Sequence, residues 1–249
     1  MEKIKIIILA AGKGKRIKRK DIPKVLVPVN GRPMIQYVLS AIKKALPCVI
    51  PTIVVGNGAR LVQKKLGLKY NYVLQKKQLG TGHAVACTKK PLKGKAKNVL
   101  VLYGDKPLIN AATINAIIHK HTHTKSVLTM ATITVPNFRG WRKGFFDLGR
   151  IIRNEKGQII KVVEQKDTSP TERKIKELNP TYLCFDAAWL WKNISKIKNE
   201  NSQGEYYLPD LIKMACEQKQ KIGSAKAKAI EGLGINTQKQ LELVKKMIG

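Results

Sequence analysis

"IKIIILAAGKGKRIKRKDIPK", Ile4 to Lys24, is the stretch from which the fold can be read. Ile4, Ile6, Ile7, Ile8 and Leu9 form a short, nearly continuous apolar run, as a buried strand requires. Ala10, Ala11 and Gly12 follow at once, and then Lys13, Gly14, Lys15 and Arg16. A glycine-rich turn after a strand commonly seats an anion, because a ligand can reach its backbone N–H groups. Two familiar phosphate loops do not fit. The second glycine of a P-loop and the third of the dinucleotide fingerprint would both fall on Ile17. What remains is a small-residue loop with Lys13, Lys15, Arg16 and Lys24 close by in sequence. The plainer alternative is a tight turn in a basic protein.

Outward from this loop, the first half alternates two kinds of segment. Strands are expected over residues 4–9, 49–55, 71–74, 98–102 and 126–135, and helices over 33–46, 59–66, 82–89 and 111–120. In the first helix Met34, Tyr37, Val38, Ala41 and Ile42 recur at helical spacing. The alternation predicts an α/β fold with a doubly wound, mostly parallel sheet that binds ligands at the carboxyl ends of its strands. In the second half "GRIIRNEKGQIIKVVE" reads as a hairpin turning near residues 155–157, and "KELNPTYLCFD" as one further strand. Helices are expected around 186–197, 206–216 and 237–248. No linker or repeat interrupts the chain. The expectation is one domain over 1–249, with a nucleotide-binding half to about residue 125 and a second half that completes the pocket.

A chain of 249 residues can bury a full core. It is 43% hydrophobic, yet no apolar run approaches the roughly 18 residues of a membrane span. Residues 4–9 are too short for a secretory signal. Cys48, Cys87, Cys184 and Cys216 are widely separated, and they read as small buried residues of a reducing, cytoplasmic protein. The net charge of +32 favours anionic partners. Its lysines are spread through the chain, so compositional bias explains them as well as dedicated nucleic-acid binding does. No aromatic RNA-recognition motif is visible, which leaves only non-specific contact with nucleic acid open, and no protein partner is indicated.

Four more stretches lie where such a sheet would place a site. "YVLQKKQLGTGHAV" puts Gln75, Gln78 and Gly80 between a strand and a helix, amides suited to a base edge beside the flexible Gly80–Thr81–Gly82. "VLVLYGDKPLI" ends a buried strand with Gly104 and Asp105, a carboxylate placed for a hard cation. "KVVEQKD" presents Glu164, and "LGIN" presents Asn236. His119, His121 and His123 read as a solvated helix end rather than a metal site. His83 reads as a helix residue near the base loop rather than a general base.

Together "LAAGKGKR…PKVLVPVNGRPMIQYVL", "QLGTGHAV", "LYGD", "GRIIR…VVEQKD" and "NSQGEYYLPDLI" resemble the sugar-nucleotide pyrophosphorylases, a nucleotidyltransferase family. They are most similar to the uridyltransferase domain of the bacterial bifunctional N-acetylglucosamine-1-phosphate uridyltransferase/glucosamine-1-phosphate acetyltransferase. The resemblance covers nearly the whole chain in order. It implies a Rossmann-like nucleotidyltransferase fold with a sugar-binding second half, and Mg²⁺-dependent transfer of UMP from UTP to N-acetylglucosamine 1-phosphate. Glucose 1-phosphate is the alternative acceptor, and a nucleic-acid-binding protein that kept the fold is the alternative from another class. By the same resemblance, Leu9, Ala10, Ala11 and Gly12 give backbone contacts to the nucleotide. Arg16 meets the departing pyrophosphate, and Lys24 contacts phosphate. Gln75 and Gly80 read uracil, Thr81 lies along the nucleotide, and Tyr103, Gly104 and Asp105 line the ribose and metal region. Gly149, Glu164 and Asn179 hold the amino sugar, and Asp105 and Asn236 bind the magnesium. Hexapeptide repeats of a left-handed β-helix are not seen, so the acetyltransferase domain is expected to be absent.

Three departures from the family pattern stand out. Lys15 replaces the usual Thr of the loop, Pro180–Thr181 follows Asn179 where the pattern is Asn-Thr-Gly, and "FRGWRKGFFDLGRI" lengthens the lead into the hairpin. Each site residue also has a plainer reading. Lys24, Arg16 and Glu164 could be solvated charges, and Gln75 and Gln78 exposed loop amides. Asp105 and Asn236 could be helix N-caps, and Asn179 a strand cap.

Overall fold

The computed structural model describes residues 4–12, 14, 16–17, 22–201 and 203–248; Lys13 and Lys15 lie outside them. The elements run β1 (Ile4–Ala10), β2 (Pro28–Val29), β3 (Arg32–Pro33), α1 (Met34–Ala45), β4 (Thr52–Val55), α2 (Ala59–Leu66), β5 (Asn71–Leu74), α3 (Thr81–Ala86), α4 (Lys89–Leu92) and β6 (Asn98–Tyr103). There follow α5 (Ala111–Thr124), β7 (Leu128–Thr134), β8 (Arg150–Arg153), β9 (Ile159–Val163), β10 (Glu177–Leu178), β11 (Leu183–Asp186), α6 (Ala187–Asn193), α7 (Asp210–Glu217), β12 (Ile222–Lys226) and α8 (Gln238–Ile248). Ten strands form one sheet in the order β5-β4-β1-β6-β11-β7-β10-β8-β9, with β12 also on β7.

The first half is parallel. β1 lies between β4 and β6 in parallel register, and β5 adds parallel to β4. Ile6, Ile7 and Ile8 are fully buried, and they divide between two apolar clusters on opposite faces of the sheet. A strand covered on both faces needs no polar alternation, which is why it reads as an unbroken apolar run. Helix α1 packs Ile35, Val38, Leu39 and Ile42 into one of those clusters.

Beyond β6 the sheet turns antiparallel through β11, β10, β8 and β9, while β12 runs parallel to β7. β12 and the β2–β3 pair have no counterpart among the expected elements. The expected strand over 49–55 begins only at Thr52, because Pro51 has no N–H for the ladder. The expected helix over 82–89 is two. Pro91 cannot accept the turn that would bond back to Cys87, so α3 ends and α4 starts afresh. The stretch expected as one strand breaks at residues 179–182, where Pro180 lacks a donor and Thr181 adopts φ +66°.

Two further expectations are corrected. His121 does not belong to a solvated helix end: it is buried, and its Nδ1 lies 3.0 Å from Thr129 Oγ1. Of the four cysteines only Cys184 is buried; Cys48 is exposed. The long lead into the hairpin is an eight-residue 3-10 segment, Gly140–Asp147. Beneath it Arg150 is fully buried, with Nη1 donating to Phe146 O at 2.9 Å and to Leu148 O. The Phe138 and Phe146 rings lie 5.0 and 5.2 Å from its guanidinium carbon.

Candidate active site

The carboxyl ends of β1, β4, β5 and β6 bring four loops to one edge of the sheet. Gly104 N donates to Leu9 O at 2.9 Å, and Gln75 N donates to Val55 O at 2.8 Å. Leu9, Ala10 and Ala11 are therefore packed, and the accessible surface of the opening loop starts at Gly12, which has nothing within 4 Å of where a Cβ would be. Gly14 takes φ +62°, and a Cβ there would stand 2.8 Å from Lys24 Cβ, so the turn can lie on the Lys24 side chain only as glycine. Ile17 closes this turn through its N–H to Gly14 O at 3.0 Å and is buried in the core. Arg16 is exposed, and among the described residues no hydrogen bond or ion pair fixes its guanidinium.

Lys24, Asp105 and Asn236 meet from three remote segments. The Lys24 ammonium donates to Asp105 Oδ2 and, at 2.8 Å, to Asn236 Oδ1. The backbone holds this junction, with Ile235 N donating to Asp105 O at 2.9 Å. The plainer readings of all three fail. Lys24 is largely buried, and the cap of α5 is Asn110, whose Oδ1 accepts from Thr113 N at 2.9 Å. Helix α8 starts beyond Asn236, and Thr237 Oγ1 accepts from Gln240 N at 3.3 Å. Two hard oxygens that reach a single ammonium can equally reach a single divalent cation, so this donor pair fits one. Among the described residues there is no cluster of three or more His, Cys, Asp or Glu.

At the base loop Gln75 is buried rather than exposed, and its orientation is fixed. Nε2 donates to Gly80 O at 3.0 Å and faces His83 Nδ1 at 3.0 Å. A carbonyl can only accept, so the amide presents its nitrogen there and keeps Oε1 as its remaining end. Of the amide's two ends, only the acceptor is left free of these bonds. Gly80 takes φ +102°, and a Cβ on it would stand 2.6 Å from Tyr206 O. Tyr206 N donates to Leu79 O at 2.8 Å, Gly82 N to Tyr206 O at 2.7 Å, and Leu208 N to Thr81 Oγ1 at 2.9 Å. Residues 206–208, for which the sequence indicates no role, thus brace the base loop. Gln78 bonds to Gln75 O at 3.0 Å and packs on Gly56.

The residues expected to hold the sugar lie across the sheet. Arg150 pairs with both Val163 and Leu178, so Gly149, Glu164 and Asn179, one position away on each strand, share the opposite face. Asn179 N donates to Gly149 O at 3.0 Å, and a Cβ on Gly149 would lie 3.3 Å from Glu164 Oε1. Glu164 is exposed to solvent; the surrounding protein, then Asp210 and Asp167, still raise its carboxyl pKa. Asn179 is buried, and its Nδ2 has no partner among the described residues.

Between the sides stand Tyr103 and Lys106. Burial raises the Tyr103 hydroxyl pKa, opposed by hydrogen bonds with the Thr181 and Thr81 side chains. Lys106 was not anticipated; the available signal was a lysine directly after Asp105 at the end of an apolar strand. Burial pulls its ammonium down to about 8, Asp105 opposes that shift and Lys24 adds to it.

Residues 6–204 match the model of the MobA-like NTP transferase domain. The chain is 40% identical over 242 residues to the bifunctional protein GlmU of Brevibacillus brevis, covering 97% of this chain and 50% of that protein. It is 41% identical over 236 residues to the bifunctional protein GlmU of Clostridium botulinum, covering 94% and 50%. The chain thus spans about half the length of these relatives. A UDP-glucose pyrophosphorylase complexed with UDP-glucose superimposes with TM-score 0.79 at 18% identity, over 100% of this chain and 98% of that one. A CMP:2-keto-3-deoxy-manno-octonic acid synthetase complexed with CTP gives 0.74 at 16% identity, over 99% and 98%.

Proposed function

The chain belongs to the family of MobA-like NTP transferase domains, and from that premise we propose that it transfers UMP from UTP to N-acetylglucosamine 1-phosphate, releasing pyrophosphate. The observation that carries this reading is the convergence of Lys24, Asp105 and Asn236 beside a loop at the ends of parallel strands. Similarity to the GlmU proteins over nearly the whole chain supports it.

The acceptor phosphate is already an anionic nucleophile, so no Ser, Cys or His need be activated. The task is to bring two polyanions into line and to offset the charge that builds on the α-phosphate and the leaving pyrophosphate. Lys24 is held where it can do so, and Arg16, on the accessible loop, is assigned to the pyrophosphate. Asp105 and Asn236 would hold a divalent cation, Mg²⁺ by their hard oxygens, and when bound it would supply positive charge against the phosphates. Gln75 Oε1 can accept the N3–H of uracil, whereas cytosine presents an acceptor at that position. Glu164 can accept a sugar hydroxyl and Asn179 Nδ2 can donate to the acceptor.

The test is pyrophosphate release from each of four nucleoside triphosphates against a panel of sugar 1-phosphates. The expected best pair is UTP with N-acetylglucosamine 1-phosphate. Faster turnover of glucose 1-phosphate would reassign the acceptor, and no release from any pair would defeat the reading.

A further inference from the structure

Thr181 is held in a conformation that its side chain disfavours. Its φ of +66° belongs to the left-handed region, which glycine enters freely and a β-branched residue does not. Two of the contacts that hold this turn come from one lysine. Lys106 Nζ donates to Pro180 O and, at 3.0 Å, to Thr181 Oγ1. The lysine is itself fixed, buried beside the Tyr103 and Tyr182 rings, each 5.3 Å from its nitrogen, with its stem against Gly234.

The turn sets the direction of Asn179. Thr181 N donates to the Asn179 side chain at 2.8 Å. A backbone N–H can only donate, so the atom it meets is Oδ1, and Nδ2 is turned the other way. That nitrogen is buried without a partner among the described residues, an arrangement that disfavours the ligand-free state unless a ligand acceptor completes it. Were the turn to relax to a negative φ at Thr181, its N–H would leave Oδ1 and the amide would be free to rotate.

We propose that Lys106 is a positioning residue for the acceptor: its buried ammonium clamps the Asn179–Thr181 turn and so aims the Asn179 amide donor at the sugar. This rests on the nucleotidyl-transfer reading above. It predicts that the lysine and the strained residue are coupled, since a glycine at position 181 would hold the same backbone without a clamp.

The experiment compares Lys106→Met, Thr181→Gly and the double variant in the full chain, measuring Tm and the KM of each substrate. Lys106→Met should raise the KM for N-acetylglucosamine 1-phosphate on the order of tenfold, the scale of one misplaced buried donor, with UTP KM within about twofold. Thr181→Gly should recover most of the lost Tm and acceptor KM in the Lys106→Met background and change little alone. Equal shifts in both KM values, or additive effects in the double variant, would overturn the proposal. If Lys106→Met does not fold, the double variant must; failure of both also overturns it. Coupling in Tm without acceptor turnover by the unaltered chain would defeat the functional reading and leave the clamp standing.

Discussion

The loops that carry Gly12, Gln75 and Asp105 stand at the ends of four parallel strands, whereas Gly149, Glu164 and Asn179, proposed for the acceptor, follow the register of antiparallel ones. In the first region every strand points its loop at the same edge, so side chains far apart in sequence meet there by topology alone. In the second, a residue joins the site only if strand register turns it to the correct face. The nucleotide side is therefore suited to fixed charge placed near the reacting phosphates. The acceptor side is suited to recognition by hydrogen bonds, and lesions in the two should have different kinetic signatures.

The largest effect should come from the charge cluster. Lys24→Met and Asp105→Asn should each lower kcat about 10²-fold or more, the scale seen when a group that stabilises transition-state charge is removed. Asn236→Ala should act in the same direction, and less than additively with Asp105→Asn, because both oxygens meet the one Lys24 ammonium and would hold the one proposed cation. Single-turnover kinetics at saturating UTP and Mg²⁺ measures this; near-normal turnover of Asp105→Asn would place the charge elsewhere.

The acceptor side should respond in KM and in its pH dependence. Glu164→Gln should weaken acceptor binding by about 2 kcal/mol, the scale of a hydrogen bond to a charged group. Desolvation by the surrounding protein, then Asp210 and Asp167, raise the Glu164 carboxyl, so it protonates at a higher pH than a free glutamate. Acceptor KM should thus climb as pH falls toward that raised pKa, and the glutamine variant should show no such climb. The folded state also binds this proton more tightly than the unfolded chain, so Glu164→Gln should not destabilise the protein at neutral pH. A pH-independent acceptor KM in the unaltered protein would remove Glu164 from recognition.

The same contrast explains what could be read from sequence. Asp105 and the loop after Leu9 were legible because a doubly buried strand leaves an unbroken apolar run and announces its own end. Asn71–Leu74 and Ala59–Leu66 also match the expected bounds, although the first is an edge strand without a buried residue and the second a helix that buries only Val62 and Leu66. "KELNPTYLCFD" looked like one strand because Leu178, Tyr182 and Cys184 are all core residues, and a chain that leaves and re-enters a sheet keeps its apolar pattern. Lys106 carries in sequence only the signal of a lysine after Asp105, because the residue it bonds, Thr181, lies 75 positions away. His121 was misplaced because a histidine that bonds a buried threonine looks the same in sequence as a solvated one.

Smaller again should be the change at the base loop. Gln75→Ala should cost about 1–2 kcal/mol of discrimination for UTP over CTP in kcat/KM, since Oε1 is the end left to accept from the base. It also removes two bonds that hold residues 80–83, so UTP KM should rise with it. Equal use of UTP and CTP by the unaltered chain would sink this assignment.

The smallest effect should come from the acceptor half's own frame. Arg153 Nη2 and Nε donate to the two Glu177 oxygens at 2.7 and 2.9 Å, while Nη1 and Nη2 also reach Gly157 O at 2.7 Å and Ser224 Oγ at 3.0 Å. This fork ties β8 to β10 and β12, yet its side chains keep 28% and 22% of their exposure, so solvent screens much of the attraction. Glu177→Gln should lower stability by less than about 1 kcal/mol. Hydrogen bonding from Arg153 holds the Glu177 carboxyl below the usual range, against partial burial. A depressed acid stabilises the fold above its unfolded pKa and loses that contribution as pH falls through the folded one. The Tm gap between the two proteins should therefore be open at neutral pH and close in acid. Acceptor KM should not move, because Arg153 and Glu177 lie further along the strands and, among the described residues, make no hydrogen bond to Gly149, Glu164 or Asn179. An acceptor KM shifted as far by Glu177→Gln as by Glu164→Gln would mean that the frame, and not the recognising carboxylate, sets acceptor binding.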